Sequence, residues 1–180
     1  MNPAVTRVTE ILPPASSPRP RNWASVEEEF GTPLPEDYKE LVDLYGGGVF
    51  NETIWLLEPG CPVEDYDLLA VAREREEILT KLWSSSEQRP AELSAPGACL
   101  LPWAYAEEGG QYLYWLAEPG RAPEHWTVMV NEGRGPGWES HPVSCARFLL
   151  SFMTGEIHSE ILPEPSGEAH TFDSNTDILQ

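Results

Sequence analysis

The amino-acid sequence predicts a single α+β domain in which helices flank a predominantly antiparallel sheet. Apolar residues recur at helical spacing in the first half of the chain, which indicates amphipathic helices. The second half contains short aromatic-rich runs separated by glycine and proline, which is typical of hairpin-connected strands. No regular alternation of strand and helix occurs, which argues against a parallel βαβ sheet. At 180 residues the chain suits one domain with a sizeable core.

Two helices open the predicted domain. The first covers Trp23–Phe30, where Ser25 and Glu28 have the spacing of a capping box. The second begins at Pro35, whose fixed φ suits a first helical turn, and ends at the glycine run 46–48. Its apolar stripe consists of Leu34, Tyr38, Leu41, Val42 and Tyr45.

A strand and a longer helix follow. Residues 53–57 form an apolar run that Pro59 and Gly60 stop, which predicts a strand. Residues 63–83 predict a helix with one apolar face, and residues 84–97 predict a surface loop.

The second half predicts the rest of the sheet and a last helix. A hairpin turn is predicted at 107–110, where two glycines supply the positive φ that such turns need. A helix over 144–154 presents apolar side chains to the core. The predicted strands cover 99–105, 111–116, 126–130 and 138–141.

The two ends of the chain differ in composition from the middle. Residues 1–21 are rich in proline and arginine, with helical spacing over 5–12, and we predict an N-terminal extension there. Residues 156–180 contain six acids and no Lys or Arg, which predicts an unstructured acidic tail. The α+β domain is therefore predicted to cover residues 22–155.

Charge is the most unusual property of the composition. Thirty Asp and Glu against eleven Lys and Arg give a formal net charge of −19. Nucleic acid and anionic membranes both require cationic partners, so the sequence predicts binding to neither. A field of this sign attracts basic proteins and accelerates their encounter. The alternative interpretation is that the acidity only maintains solubility.

The sequence predicts a cytoplasmic protein. No apolar run reaches the roughly 18 to 20 residues that span a bilayer, and the N-terminus lacks the pattern of a secretory signal. The three cysteines form no CxxC pair, which argues against a disulfide framework and a zinc site, and we expect Cys99 and Cys145 to be buried.

Searches for catalytic motifs give no match. The sequence lacks a nucleophile elbow, a phosphate-binding loop, a zincin helix and an EF-hand loop. Glu156, His158 and Glu160 alternate in the way metal ligands can, but they fall in the predicted tail. Clustered carboxylates leave acid–base catalysis as an alternative. We predict no enzyme activity, no catalytic residues, no cofactor and no metal.

A combination of residues resembles the SUKH superfamily, which includes bacterial immunity proteins of polymorphic toxin systems and fungal cell-wall synthesis regulators. The first part of the pattern is Trp23, Glu27, Gly31, Leu34-Pro35, Asp37-Tyr38, Leu41 and Gly46-Gly47. The later part is Leu101-Pro102-Trp103, a Gly-Gly hairpin, Tyr112-Leu113-Tyr114-Trp115, Trp126-Thr127-Val128 and Phe148-Leu149-Leu150. The resemblance covers residues 23–155, and the Pro/Arg-rich start and the acidic tail lie outside it.

The resemblance implies a non-catalytic protein that binds and neutralises a cognate toxin domain. The net charge favours a basic toxin, for example a nuclease. The alternative is a regulatory or scaffolding module that recruits protein partners. Acids on predicted turns and helix faces, with aromatic neighbours, are the predicted partner-binding residues: Glu52, Glu64, Asp65, Tyr66, Asp67, Glu107, Glu108, Tyr112 and Glu132.

Overall fold

The structure is a computed structural model that describes residues 1–133, 135–165 and 169–179. The helices in this part of the chain are α1 (Pro3–Ile11), α2 (Trp23–Phe30), α3 (Glu36–Tyr45), α4 (Leu68–Ser85), α5 (Cys145–Met153) and α6 (Asn175–Ile178). The strands are β1 (Gly48–Phe50), β2 (Ile54–Leu56), β3 (Cys99–Ala106), β4 (Gln111–Ala117), β5 (Thr127–Asn131), β6 (Trp138–His141) and β7 (Phe172–Ser174).

All seven strands belong to one sheet in the order β6-β5-β4-β3-β2-β1-β7, and every neighbouring pair is antiparallel. Strands β1 to β6 are neighbours in chain order. Short turns connect β1 to β2, β3 to β4 and β5 to β6, whereas α4 lies in the connection between β2 and β3. This arrangement confirms the predicted α+β class with a predominantly antiparallel sheet and flanking helices in a single domain.

Helices cover both faces of the sheet. On one face, Tyr38 of α3 packs edge-on against Trp115 at 4.9 Å between ring centroids, and Phe148 of α5 lies 6.4 Å from Trp103. On the other face, Leu79 of α4 packs in a second cluster with residues of β4 and β5. Successive residues of β4 alternate between the two faces, as the pleat of a strand requires.

The N-terminal segment packs onto the domain. Val5 and Val8 of α1 have no exposed surface, and α1 contacts both α3 and α5. The Asn2 amide donates to the Glu40 carboxylate at 2.9 Å. The segment bounds at 21 and 22 stay a prediction, but residues 3–11 contribute to the core because their apolar stripe finds partners on two helices.

The C-terminal segment differs from the unstructured tail that its composition predicts. Strand β7 pairs with β1, and the Phe172 ring lies 4.6 Å from that of Phe50. Asn51 exchanges hydrogen bonds with Thr171 across 120 positions of sequence. The sequence prediction missed both β1 and β7 because three-residue strands show no clear alternation.

One helix has a different N-cap from the predicted one, and another begins later than predicted. Helix α2 has Asn22 as its N-cap, whose side chain accepts from the Ser25 amide, so the Ser25 capping box is wrong. The helix predicted over 63–83 is a 3-10 turn at Glu64–Tyr66 followed by α4.

Candidate functional site

The topology of the sheet brings three hairpin turns to one end. Consecutive antiparallel strands alternate in direction, so the turns after β1, β3 and β5 lie side by side. The first turn contains Glu52, and the second contains Glu107 and Glu108. The second and third turns touch, since a Cβ added to Gly133 would lie 2.5 Å from the Gly109 carbonyl oxygen.

The 3-10 turn before α4 adds further acids to this end. Tyr66 stacks on Trp55 of β2, with 4.3 Å between ring centroids and 25° between planes. Its hydroxyl donates to Glu107 Oε1 at 3.2 Å, which ties the turn to the β3–β4 hairpin. We name the resulting surface the acidic end and define it by five exposed carboxylates: Glu52, Glu64, Asp65, Glu107 and Glu108.

A row of aromatic rings lies beneath the acidic end. Tyr66, Tyr105 and Tyr112 stack in sequence with centroid separations of 6.0 and 5.5 Å. The Arg75 guanidinium of α4 lies over the Tyr112 ring at 4.2 Å from its centroid, and its Nε donates to the Tyr114 hydroxyl at 2.9 Å. A cation over an aromatic face is a favourable arrangement, so this row already accommodates one guanidinium.

The tyrosines of this row stay protonated near neutral pH. Burial raises the pKa of Tyr66, and the Glu107 carboxylate adds to that shift. Burial also raises the pKa of Tyr112, although the Arg75 guanidinium acts in the opposite direction. Tyr66 is therefore a hydrogen-bond donor to the carboxylate and contributes no charge of its own.

The structure brings six of the nine predicted partner-binding residues into one continuous group at the acidic end. Asp65 and Glu107 frame Tyr66, which is only 9% exposed, and Tyr112 beside them is half-buried. Glu52 lies on the neighbouring turn of the same end. The six are Glu64, Asp65, Tyr66, Glu107, Glu108 and Tyr112.

Two predicted residues have carboxylates that the fold already uses. Asp67 is the N-cap of α4, where it accepts from the Ala70 amide at 2.9 Å and from the Gly60 amide at 2.7 Å. Glu132 accepts from the Gly137 amide at 3.0 Å within the turn after β5. Both carboxylates therefore hold local backbone structure, which leaves them less free for a partner.

Sequence reasoning missed a second group of charged residues near the opposite end of the sheet. The Arg21 guanidinium donates to Glu58 at 2.9 Å and to the Pro59 carbonyl at 2.7 Å. Glu58 also accepts a short hydrogen bond from the Gly47 amide. Asp43 accepts from the Arg21 amide at 3.1 Å and from Trp23 Nε1 at 3.0 Å. We name Arg21, Asp43 and Glu58 the Arg21 cluster.

No local sequence pattern predicts the Arg21 cluster, because its members lie far apart in sequence. It does explain part of the motif that the sequence analysis singled out. A Cβ on Gly47 would lie 2.7 Å from Glu58 Cγ, and the Trp23 indole needs Asp43 as an acceptor. Trp23 and Gly47 therefore act as fold residues in this protein.

The residues that the sequence offered as alternative metal ligands do not come together in the structure. Glu156 pairs with Arg147 at 3.2 Å, whereas His158 lies 3.7 Å from Glu164, so these side chains do not share a centre. Over the described ranges, no group of three or more His, Cys, Asp or Glu side chains is arranged to hold a metal ion. Nor does that part of the chain contain a helix both long and apolar enough to cross a membrane.

Comparison with known protein families gives a match over most of the chain. The family SUKH_6, described as SMI1-KNR4 cell-wall, matches residues 20–143. This stretch includes α2, α3, all three segments of the acidic end and the Arg21 cluster. No curated protein matches the chain.

Proposed function

We propose that this chain, which belongs to the SUKH_6 family of the SMI1-KNR4 type, is a cytoplasmic immunity protein that binds a basic toxin domain through its acidic end. Membership of the SUKH superfamily agrees with the resemblance found in the sequence. Proteins of this superfamily are generally non-catalytic immunity or regulatory proteins, which supports a binding function.

The observation that carries the proposal concerns ion pairing at the acidic end, within the part of the chain that the structure describes. Some exposed acids elsewhere are paired: Glu10 with Arg7, Glu77 with Lys81 and Glu156 with Arg147. Among the residues that the structure describes, none of the five acidic-end carboxylates lies within ion-pair distance of a base. Their charge is therefore available to a partner.

A nuclease fits this surface by charge. An enzyme that binds a phosphate backbone must present Lys and Arg side chains, and a cluster of carboxylates competes for them. Complementary charge of this kind accelerates association and selects among partners. Occupation of the cationic face by the acidic end would exclude the nucleic acid and neutralise the toxin.

The experiment that tests the proposal compares two charge-reversal variants of equal net charge. E107K/E108K alters the acidic end, whereas E92K/E124K alters exposed acids at the opposite end of the sheet. Each double variant changes the formal net charge from −19 to −15, because two acids become two bases.

The partner to be tested in this experiment is any toxin-like protein encoded by a neighbouring gene, produced in a catalytically inactive form. We expect E107K/E108K to weaken binding at least about tenfold in titration calorimetry, and E92K/E124K to change it little. Co-expression with the active toxin should permit growth with the control variant only. If the two variants lost affinity equally, or if neither lost affinity, the acidic end would not be the contact surface.

A second candidate is the regulatory or scaffolding function, which the cell-wall description of the family favours. Such a module would recruit partners through its chain ends. Here α1 is packed into the core and β7 onto the sheet, so truncation would disturb the fold itself. A partner whose binding survives E107K/E108K, and which does not inhibit growth when active, would support this second candidate.

A further inference from the structure

The sheet has a notch, an unpaired stretch of strand edge, beside its central strand β3. Strand β4 pairs with β3 over its whole length, but β2 pairs only with Ala104 and Tyr105 of β3. The Leu57 amide, just after β2, donates to the Trp103 carbonyl of β3, and beyond Leu57 the chain leaves the edge of β3. Within the described residues, no strand therefore pairs with residues 99–102 of β3 on the side away from β4. Unpaired strand edges are ready to accept another extended chain.

A groove of about 760 Å³ lies over this notch, between β3, α4 and the end of α2. Its walls include the apolar side chains of Phe30, Leu69, Ala72 and Leu101. Along α4 the groove extends from Leu69 to Trp83, about 20 Å at 1.5 Å per residue. An extended peptide covers that length with about six residues at 3.3 Å each.

The groove contains hydrogen-bond donors without acceptors. Trp83 lines it, and the buried Nε1 of this indole has no acceptor in the described part of the chain. The Arg89 guanidinium lies over the Trp83 ring at 5.6 Å from its centroid. Although the chain has thirty acids, neither Arg89 nor Arg73 forms an ion pair with a described residue.

The charge of the groove differs from that of the acidic end. Arg73 and Arg89 are balanced by Glu29 and Glu76 in the lining, so the groove has no net charge. A strongly basic segment gains nothing there. A guanidinium held on an aromatic ring keeps its planar N–H donors for a carboxylate, which it binds in bidentate fashion.

We propose that this groove is a second binding site, which takes an extended, mainly apolar peptide segment of a partner protein carrying one carboxylate. The peptide adds to the free edge of β3 as a strand, in the manner of β-augmentation. Arg89 pairs with the carboxylate of the peptide. Cys99, which was expected to be buried, is exposed at this edge.

The test uses a phage-displayed library of random octapeptides, selected on the full chain. We expect enrichment of peptides that alternate apolar residues and contain an Asp or Glu. Fluorescein-labelled copies of the enriched peptides should bind in anisotropy titrations. A72W fills the groove and should weaken that binding at least about tenfold, with a smaller loss for R89A.

Two controls separate this site from the rest of the molecule. E77W places the same ring on the exposed side of α4, outside the groove, and should leave peptide binding unchanged. E107K/E108K should leave it unchanged as well, so failure of the groove and failure of the acidic end are distinguishable. Circular dichroism checks the fold of each variant, and R89A retains the test should A72W not fold.

Amide chemical shifts locate the peptide independently of affinity. On addition of peptide, we expect the largest changes at Cys99, Leu100 and Leu101. No enrichment from the library overturns the proposal. So do peptides that bind A72W and R89A as tightly as the unaltered chain, and so do shift changes confined to another surface.

Discussion

The acidic end and the Arg21 cluster contain the same residue types but use them in opposite ways. In the Arg21 cluster, Glu58 accepts from the Arg21 guanidinium and from the Gly47 amide, and its side chain is only 13% exposed. At the acidic end, Glu52 and Glu108 are exposed and have no ion-pair partner among the described residues.

The difference teaches that the number of acids in a segment does not decide their function. A carboxylate whose lone pairs are filled by amides and a guanidinium stabilises the fold, and its removal leaves those donors unsatisfied. A carboxylate that has only water as its neighbour contributes little to stability. It retains its charge for an encounter with another molecule.

The largest expected effect is the loss of Glu58. E58A leaves the Gly47 amide and the Arg21 guanidinium without their acceptor in a largely buried place, so we expect a loss of about 3 kcal/mol in unfolding free energy. Urea unfolding measures it. The matched control is E77A, which removes an exposed acid paired with Lys81 and should cost at most about 0.5 kcal/mol. Similar losses of unfolding free energy in both variants would mean that acids within the Arg21 cluster and exposed acids contribute equally to stability.

A smaller loss is expected from G47A. The added methyl would lie 2.7 Å from Glu58 Cγ and 2.5 Å from Asn175 Nδ2, which forces both side chains to move and costs about 2 kcal/mol. G60A is the control, because nothing lies near its Cβ and only the positive φ costs about 1 kcal/mol. Since G47A and E58A affect one contact, their losses should not add in a double-mutant cycle. Strict additivity would contradict the assignment.

Glu139 sharpens the comparison because it lies between the two extremes. Burial alone raises its pKa, but hydrogen bonds from Ser159, His141 and the Glu160 amide outweigh burial, and the pKa is lowered. A lowered folded-state pKa gives stability that is fully present above the unfolded value, about 4.3, and is lost as pH falls through the folded value.

E139Q tests this linkage. We expect the variant to lose about 1 kcal/mol near neutral pH and to show a flatter decline in unfolding free energy below about pH 4.3. Urea unfolding between pH 3 and pH 7 measures both, with E160Q as the exposed control. Parallel curves for E139Q and the unaltered chain would mean that Glu139 has no pKa shift on folding.

The smallest expected effect on stability is at the acidic end. E107K/E108K removes repulsion among unpaired acids, and loses only the hydrogen bond from Tyr66, so unfolding free energy should stay within about 0.5 kcal/mol. Thermal melts at low and high salt measure it. A loss comparable to that of E58A would place Glu107 and Glu108 among the residues that hold the fold.

Much of the fold could be predicted from the sequence, because local patterns encode it. The stripes of α3 and α4, the 107–110 hairpin and helix α5 all occur near their predicted positions. The two ends could not be predicted in the same way. Three residues of β7 show no periodicity, and they are held by contacts with β1 that no local pattern indicates.

The candidate site was predictable in part. Turn composition identified Glu52, Glu107 and Glu108 as exposed acids, and the alternating direction of the strands explains why they share one end. Asp67 stays a predicted contact, but in the fold its carboxylate is the N-cap of α4, a role that an acid before a helix often has. The groove beside β3 left no trace in the sequence, since it arises from a strand that ends before its neighbour does.

By itself, the sequence determined the net charge of −19, the helical stripes, the hairpin turns and hence the α+β class. Each of these depends on composition alone or on residues that are near one another in the chain. Only the tertiary structure decided which acids are engaged and which are free. Glu58 meets Arg21 across 37 positions and Asn51 meets Thr171 across 120. Whether a carboxylate holds the fold or faces a partner depends on the donors that folding brings to it.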